Sequence, residues 1–238
     1  MNPLESELRR LYLLDDGTSD APCLMTGDGH VRAMVLELSR PADWTVLSTV
    51  WQRVQSELEL PAPAIAVSGN DGYQLWFSLA EPLPASRAIA FLESLRHRYL
   101  SLIAPERISL MPTQTQHAQL VPALQAKTGQ WSAFVAPDLA AIFADSPGLD
   151  VCPSPEAQAK ILARLECMKP ETFEAAVKQI AAADDGEPSD ATPSPPAVPT
   201  SSKNANKNAK QFLSDVVNDK TIEMHLRIEA AKALLPYS

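Results

Sequence analysis

Between residues 64 and 79 two apolar runs stand back to back. Ala64-Ile65-Ala66-Val67 stops at Ser68-Gly69-Asn70-Asp71-Gly72, and Tyr73-Gln74-Leu75-Trp76-Phe77-Ser78-Leu79 begins at once. Two strand-like runs around a Gly/Asn/Asp turn predict a tight hairpin, because Gly and Asn tolerate the positive φ that such turns need. Gly72 is expected to hold one of these positive-φ positions. In the second run Tyr73, Leu75 and Phe77 fall on one face of the strand, and Gln74 and Trp76 on the other.

The same patterning places the remaining elements. Residues 1–14 read as a helix. Residues 23–26 and 31–38 flank Gly27-Asp28-Gly29 and read as a hairpin. Asp43 can cap a helix running to about Leu58, with Trp44, Leu47, Val50, Trp51 and Val54 on one face. A second helix covers residues 85–102, and Ile108–Met111 is a short strand. Residues 118–121 and 131–135 are candidates for two more, in a stretch interrupted by Pro112 and Pro122. Residues 154–168 and 171–182 close the body as helices. Strand–helix–strand–strand–helix–strand is the order of split βαβ sheets of the RRM or ferredoxin-like kind. The fold class is therefore α+β, with extra helices around that core.

Residues 184–210 break the pattern. Asp184-Asp185-Gly186-Glu187-Pro188 opens a stretch of Ser, Pro, Thr, Asn and Lys with few large apolar side chains. Such a segment cannot bury enough surface to offset its ordering entropy, and it reads as a disordered linker. Residues 211–238 regain apolar spacing, with Phe212, Leu213, Val216 and Val217 before a turn near Asn218 and Met224 to Leu235 after it. They read as a helical hairpin. The domain map is thus 1–183, 184–210 and 211–238.

Charge narrows the function. The net charge is −9 over 238 residues. From Lys203 onward six basic residues face four acidic ones, which leaves the tail at +2 and the body at −11. That excludes a protein that coats duplex DNA through many phosphate contacts. Cys23, Cys152 and Cys167 are odd in number and widely spaced, which fits neither a zinc site nor a disulfide framework. A reduced cytoplasmic setting follows. No apolar run is long enough to span a membrane, and the acidic, polar start lacks a signal-peptide pattern.

The hairpin string, with Ser68, Gly69, Gly72, Tyr73, Gln74 and Trp76, resembles the second motif of the archaeo-eukaryotic primase superfamily, Ser-Gly-x-Gly-Tyr-His-h-Trp with h apolar. Gln in the His position is familiar in its plasmid RepB-like branch. The resemblance covers roughly residues 20–135 and implies a primase-type core acting on a template or nucleotide in DNA replication. It also implies two or three carboxylates holding two Mg or Mn ions. On the strand before the first helix only Glu37 is acidic, with Val35 and Ser39 at the positions of a partner. Glu37 is the candidate metal ligand and catalytic residue, or else an acid on a solvated strand end. Glu106 is the second catalytic candidate. Ser68 and the turn amides can cradle an anion. Gln74 and Arg107 are candidate phosphate contacts, and Tyr73 belongs to the same nucleotide-binding set. Trp76 is either a base-stacking platform or core.

Residues 212–219 and 226–237 are similar to a helical segment of some phage terminase small subunits. That likeness implies a mobile-element setting and a protein partner or self-association through 211–238. The expected function is a nucleic-acid-associated protein of a plasmid or phage, binding single-stranded DNA or nucleotide weakly and catalytically degenerate, with no cofactor unless active. The alternative is a structural adaptor working through protein contacts. Limited proteolysis is expected to cut first between residues 184 and 210 and leave a stable fragment ending near Ala183. Primary cleavage inside residues 31–135 would overturn this domain map.

Overall fold

The computed structural model describes residues 2–15 and 22–184. In chain order its elements are α1 (Pro3–Leu11), β1 (His30–Ser39), α2 (Trp44–Ser56), β2 (Ala64–Val67), β3 (Gly72–Pro84), α3 (Ala85–Leu100), β4 (Ile108–Met111), β5 (Ala133–Val135), α4 (Pro155–Leu162) and α5 (Pro170–Asp184). The five strands form one antiparallel sheet in the order β4-β1-β3-β2-β5. The first four carry the expected split βαβ connectivity, and β5 extends the sheet beside β2.

Alternation along the strands sorts side chains onto two cores. Met34, Leu36, Leu38, Ile65, Tyr73, Leu75 and Phe77 face α2, α3 and α5, where they meet Leu47, Val50, Phe91, Leu92, Phe173 and Ile180. Ala33, Val35, Ala64, Ala66, Trp76 and Phe134 face α1 and α4, meeting Leu4, Leu8, Leu11, Tyr12, Ala159 and Leu162. Asp43 caps α2 by accepting from the Val46 amide at 3.1 Å.

Two arginines tie the second layer down by taking helix C-terminal carbonyls, groups that have no partner within the helix. Arg32 of β1 donates to the carbonyls of Arg9, Arg10 and Leu79. Arg10 of α1 donates to Leu162 and Leu165 at the end of α4, at 2.9 Å each. The β5 edge is closed by a side chain. Buried Gln158 accepts from the Phe134 amide at 2.7 Å and donates to its carbonyl at 3.0 Å, as a sixth strand would.

Several expectations need correction. The first helix starts at Pro3, capped by Asn2, and ends at Leu11. Residues 23–26 form no strand; Cys23 and Met25 make single bridges to Leu14 and Val31. Residues 118–121 are irregular, bracketed by Pro112 and Pro122, which lack the N–H a ladder requires. β3 runs on to Pro84, past the expected end at Leu79. Beyond Asp184, the expected linker and the 211–238 hairpin lie outside the described residues. Among the described residues no helix is long and apolar enough to cross a membrane.

Replacing Gln158 by Leu keeps the volume and strands the Phe134 amide and carbonyl without partners. The expected loss is about 1–3 kcal/mol for each orphaned group. An unchanged urea midpoint would show that the edge is held otherwise.

Candidate functional site

Cross-strand register builds the site. Glu37 on β1 lies opposite Gln74 on β3 and Ser109 on β4, and Ser39 lies opposite Gly72. The Trp76 indole N–H donates to Gln74 Oε1 at 2.8 Å, and Gln74 Nε2 donates to Glu37 Oε2 at 2.8 Å. The indole is a donor only, so it fixes which way the amide points and presents the amide N–H to the carboxylate. Gly72 makes room for this arrangement. A Cβ there would lie 2.9 Å from Glu37 Oε1 and Ser39 Cβ, and 3.0 Å from the Leu38 carbonyl.

Glu37 is half-buried at the floor of a cleft of about 680 Å³. Arg40, whose guanidinium donates to the Glu106 carbonyl, and the hairpin turn, with Asn70 and Asp71, form one wall. Gln119, Gln125, Lys127 and Thr128, from the irregular segment before β5, form the other. Amides link the walls: Asn70 Nδ2 donates to Gln125 Oε1 and Gln125 Nε2 to Gln119 Oε1, both at 3.1 Å. Leu124 adds an apolar surface that is 51% exposed. Burial pushes the Glu37 carboxyl above its ordinary value. Asp71 adds to that push, while the Gln74 hydrogen bond and Arg40 oppose it.

The structure redistributes the sequence candidates. Glu37 and Gln74 come together, and Gln74 contacts a carboxylate. Trp76 is fully buried against Tyr12 and Phe134 (ring centroids 5.3 and 5.9 Å), so the core reading holds and no ring face is left for a base. Tyr73 lies on the opposite face of the sheet, and its hydroxyl donates to the Ala140 carbonyl at 2.7 Å. The Ser68 hydroxyl is spent inside the turn, accepting from the amides of Asn70 and Gly72; the Gly69 amide donates to Pro147. Arg107 donates to the carbonyls of Ser39 and Pro41, bracing the exit of β1. Glu106 is exposed in the turn Pro105–Arg107 and does not line the cleft. Gly69, with φ +74°, holds the left-handed position expected of Gly72; its missing Cβ also lets the Ser132 amide approach.

The cleft includes residues the motif did not single out: Asp71, Arg40, Lys127 and the amides. Asp71 was visible as an acid in the turn, but only the pairing of Ser39 with Gly72 sets it beside Glu37. The donor set does not fit two Mg or Mn ions, which require several anionic oxygens. Val35 is apolar and buried, Ser39 and Ser109 are neutral, and Asp71 is the one further carboxylate lining the cleft. Among the described residues no three His, Cys, Asp or Glu side chains gather.

No protein-family model matches the chain, and no curated protein matches it. Among solved structures it is similar to the polymerase domain from Mycobacterium tuberculosis Ligase D in complex with DNA, with a TM-score of 0.38 and 16% identity. The match covers 64% of this chain and 57% of that one, so this chain spans less than two thirds of its neighbour.

Two outcomes test the geometry. Gly72→Ala is expected to cost about 1–3 kcal/mol through overpacking, and Glu37→Ala is expected to recover part of that loss in the double variant. Additive losses would show that Glu37 and residue 72 do not meet. Because folding raises the Glu37 pKa, its contribution is most favourable below the ordinary value of 4.5 and is lost as pH rises through the folded value. Glu37→Gln should therefore be more stable than wild type at pH 7, with the advantage shrinking as pH approaches 4. A constant difference across that range would remove the burial argument.

Proposed function

We propose that this cleft binds a nucleotide, or the terminal nucleotide of a single-stranded nucleic acid. We further propose that the protein serves replication of a plasmid, phage or other mobile element as a binding protein and not as a polymerase. The observation that carries the reading is a concave polar cleft of about 680 Å³ that combines the Glu37–Gln74 floor with an amide wall and the cations Arg40 and Lys127. Carboxylate and amide side chains match the donor and acceptor edges of bases. Leu124 offers an apolar surface for a base face, and a rim cation meets phosphate through a salt-sensitive contact. The motif resemblance over residues 68–76 points the same way. The non-catalytic part of the proposal is supported by the carboxylates, since Glu37 and Asp71 supply little anionic oxygen for two magnesium ions.

Titration of the full chain with nucleotides and short single-stranded DNA is expected to give weak binding that falls with salt. Lys127→Glu should weaken it and reduce the salt slope by about 1. No binding at low salt would overturn the reading in favour of a protein adaptor. Primer synthesis with magnesium or manganese, abolished by Glu37→Ala, would overturn its non-catalytic part. Trp76→Ala is not a binding probe, because emptying this core position is expected to cost about 3–5 kcal/mol of stability.

A further inference from the structure

At the β5 edge of the sheet, between α2 and α4, lies a second concavity of about 420 Å³. Its floor is apolar, with Ala64, Ile65 and Val135 from the two strands and Ile161 and Leu165 from α4 and its exit. Lys160 and Arg164, both exposed, stand on the α4 wall. Neither is within ion-pair distance of an acid among the described residues. The Leu162 carbonyl at the end of α4 and the Leu165 carbonyl after it are taken by Arg10 and not by these two cations. Lys160 has Glu156 one turn earlier on its own helix, while Arg164 has no acid paired with it among the described residues, so a net positive edge stands beside an apolar trough on a chain of net charge −9. Further along the chain from Pro137, Leu139 is 49% and Ile142 72% exposed.

We infer that this groove docks an acidic amphipathic helix of a protein partner. Charge complementarity selects the acid: carboxylates flanking the apolar anchors would meet Arg164 and, beside it, Lys160. The mode follows from Gln158. A peptide adding a strand to β5 would require the outward amide and carbonyl of Phe134, and both are taken. A helix presenting apolar side chains one turn apart needs no backbone partner and fills the trough through side chains alone.

The test uses the full-length chain and three fluorescein-labelled synthetic helical peptides. The first has Leu and Phe one turn apart on one face, with Glu flanking them. The second replaces the Glu residues by Lys, and the third replaces Leu and Phe by Ser. Fluorescence anisotropy should show binding of the first peptide only, weakened by salt. The double variant Lys160→Glu/Arg164→Glu should weaken it by about tenfold, since two attractions become repulsions. Both positions are exposed, so circular dichroism should stay unchanged. Ala136→Phe, which narrows the groove without altering charge, should also weaken binding. Equal binding of the Lys peptide, indifference to charge reversal, or no binding of the acidic peptide would overturn the proposal. Saturable binding of decanoate with the same dependence on Lys160 and Arg164, in place of the peptide, would overturn it in favour of a small amphipathic anion.

Discussion

The indole N–H of Trp76 is buried where no water reaches it, and it must donate to something. It donates to Gln74, and that bond decides much of the site. The amide oxygen is consumed, so the amide N–H points at Glu37. Glu37 is thereby held at the floor of the cleft, against the bare Cα of Gly72. A single chain of two hydrogen bonds thus runs from the core between sheet and helices to the polar cleft. It links packing around Tyr12 and Phe134 to the position of the one carboxylate on β1.

The cleft exists because the second face of the sheet is covered unevenly. α1 and α4 pack over Ala33, Val35, Trp76 and Phe134, and arginine bonds to helix-end carbonyls lock them there. The next positions along β1, Glu37 and Ser39, lie past that cover. There the irregular segment before β5 arches over the sheet and supplies amides and a lysine instead of apolar side chains. A half-buried carboxylate whose charged form is disfavoured by burial sits at that gap.

The elements were largely legible in the chain. The 64–79 hairpin, the Asp43 cap, strand 108–111 and the two long helices depend on period-2 or period-3.6 patterning and on local turn chemistry, all of which act between near neighbours. The candidate site was half legible. Glu37 and Gln74 could be named from a short motif. Arg107 and Ser68 looked like ligand contacts because a free guanidinium and a free hydroxyl are indistinguishable in sequence from ones already bonded to backbone. Asp71, Gln119, Gln125 and Lys127 were not singled out, since up to 56 residues separate them and nothing local joins them.

The sequence by itself therefore determined the order of elements, the two-faced character of β3 and the turn at Ser68–Gly72, because backbone stereochemistry and side-chain periodicity need no distant partner. It also determined that one face of β3 would carry both Gln74 and Trp76. The tertiary structure decided which polar groups were spent and which remained available. Register set Glu37 beside Gln74 and Ser109, α1 buried the ring of Trp76, and β1's exit consumed Arg107. Hydrogen-bond satisfaction is a property of the whole packed chain, so only the folded molecule could show that the open surface of the motif is a carboxylate in a polar cleft and not an aromatic platform.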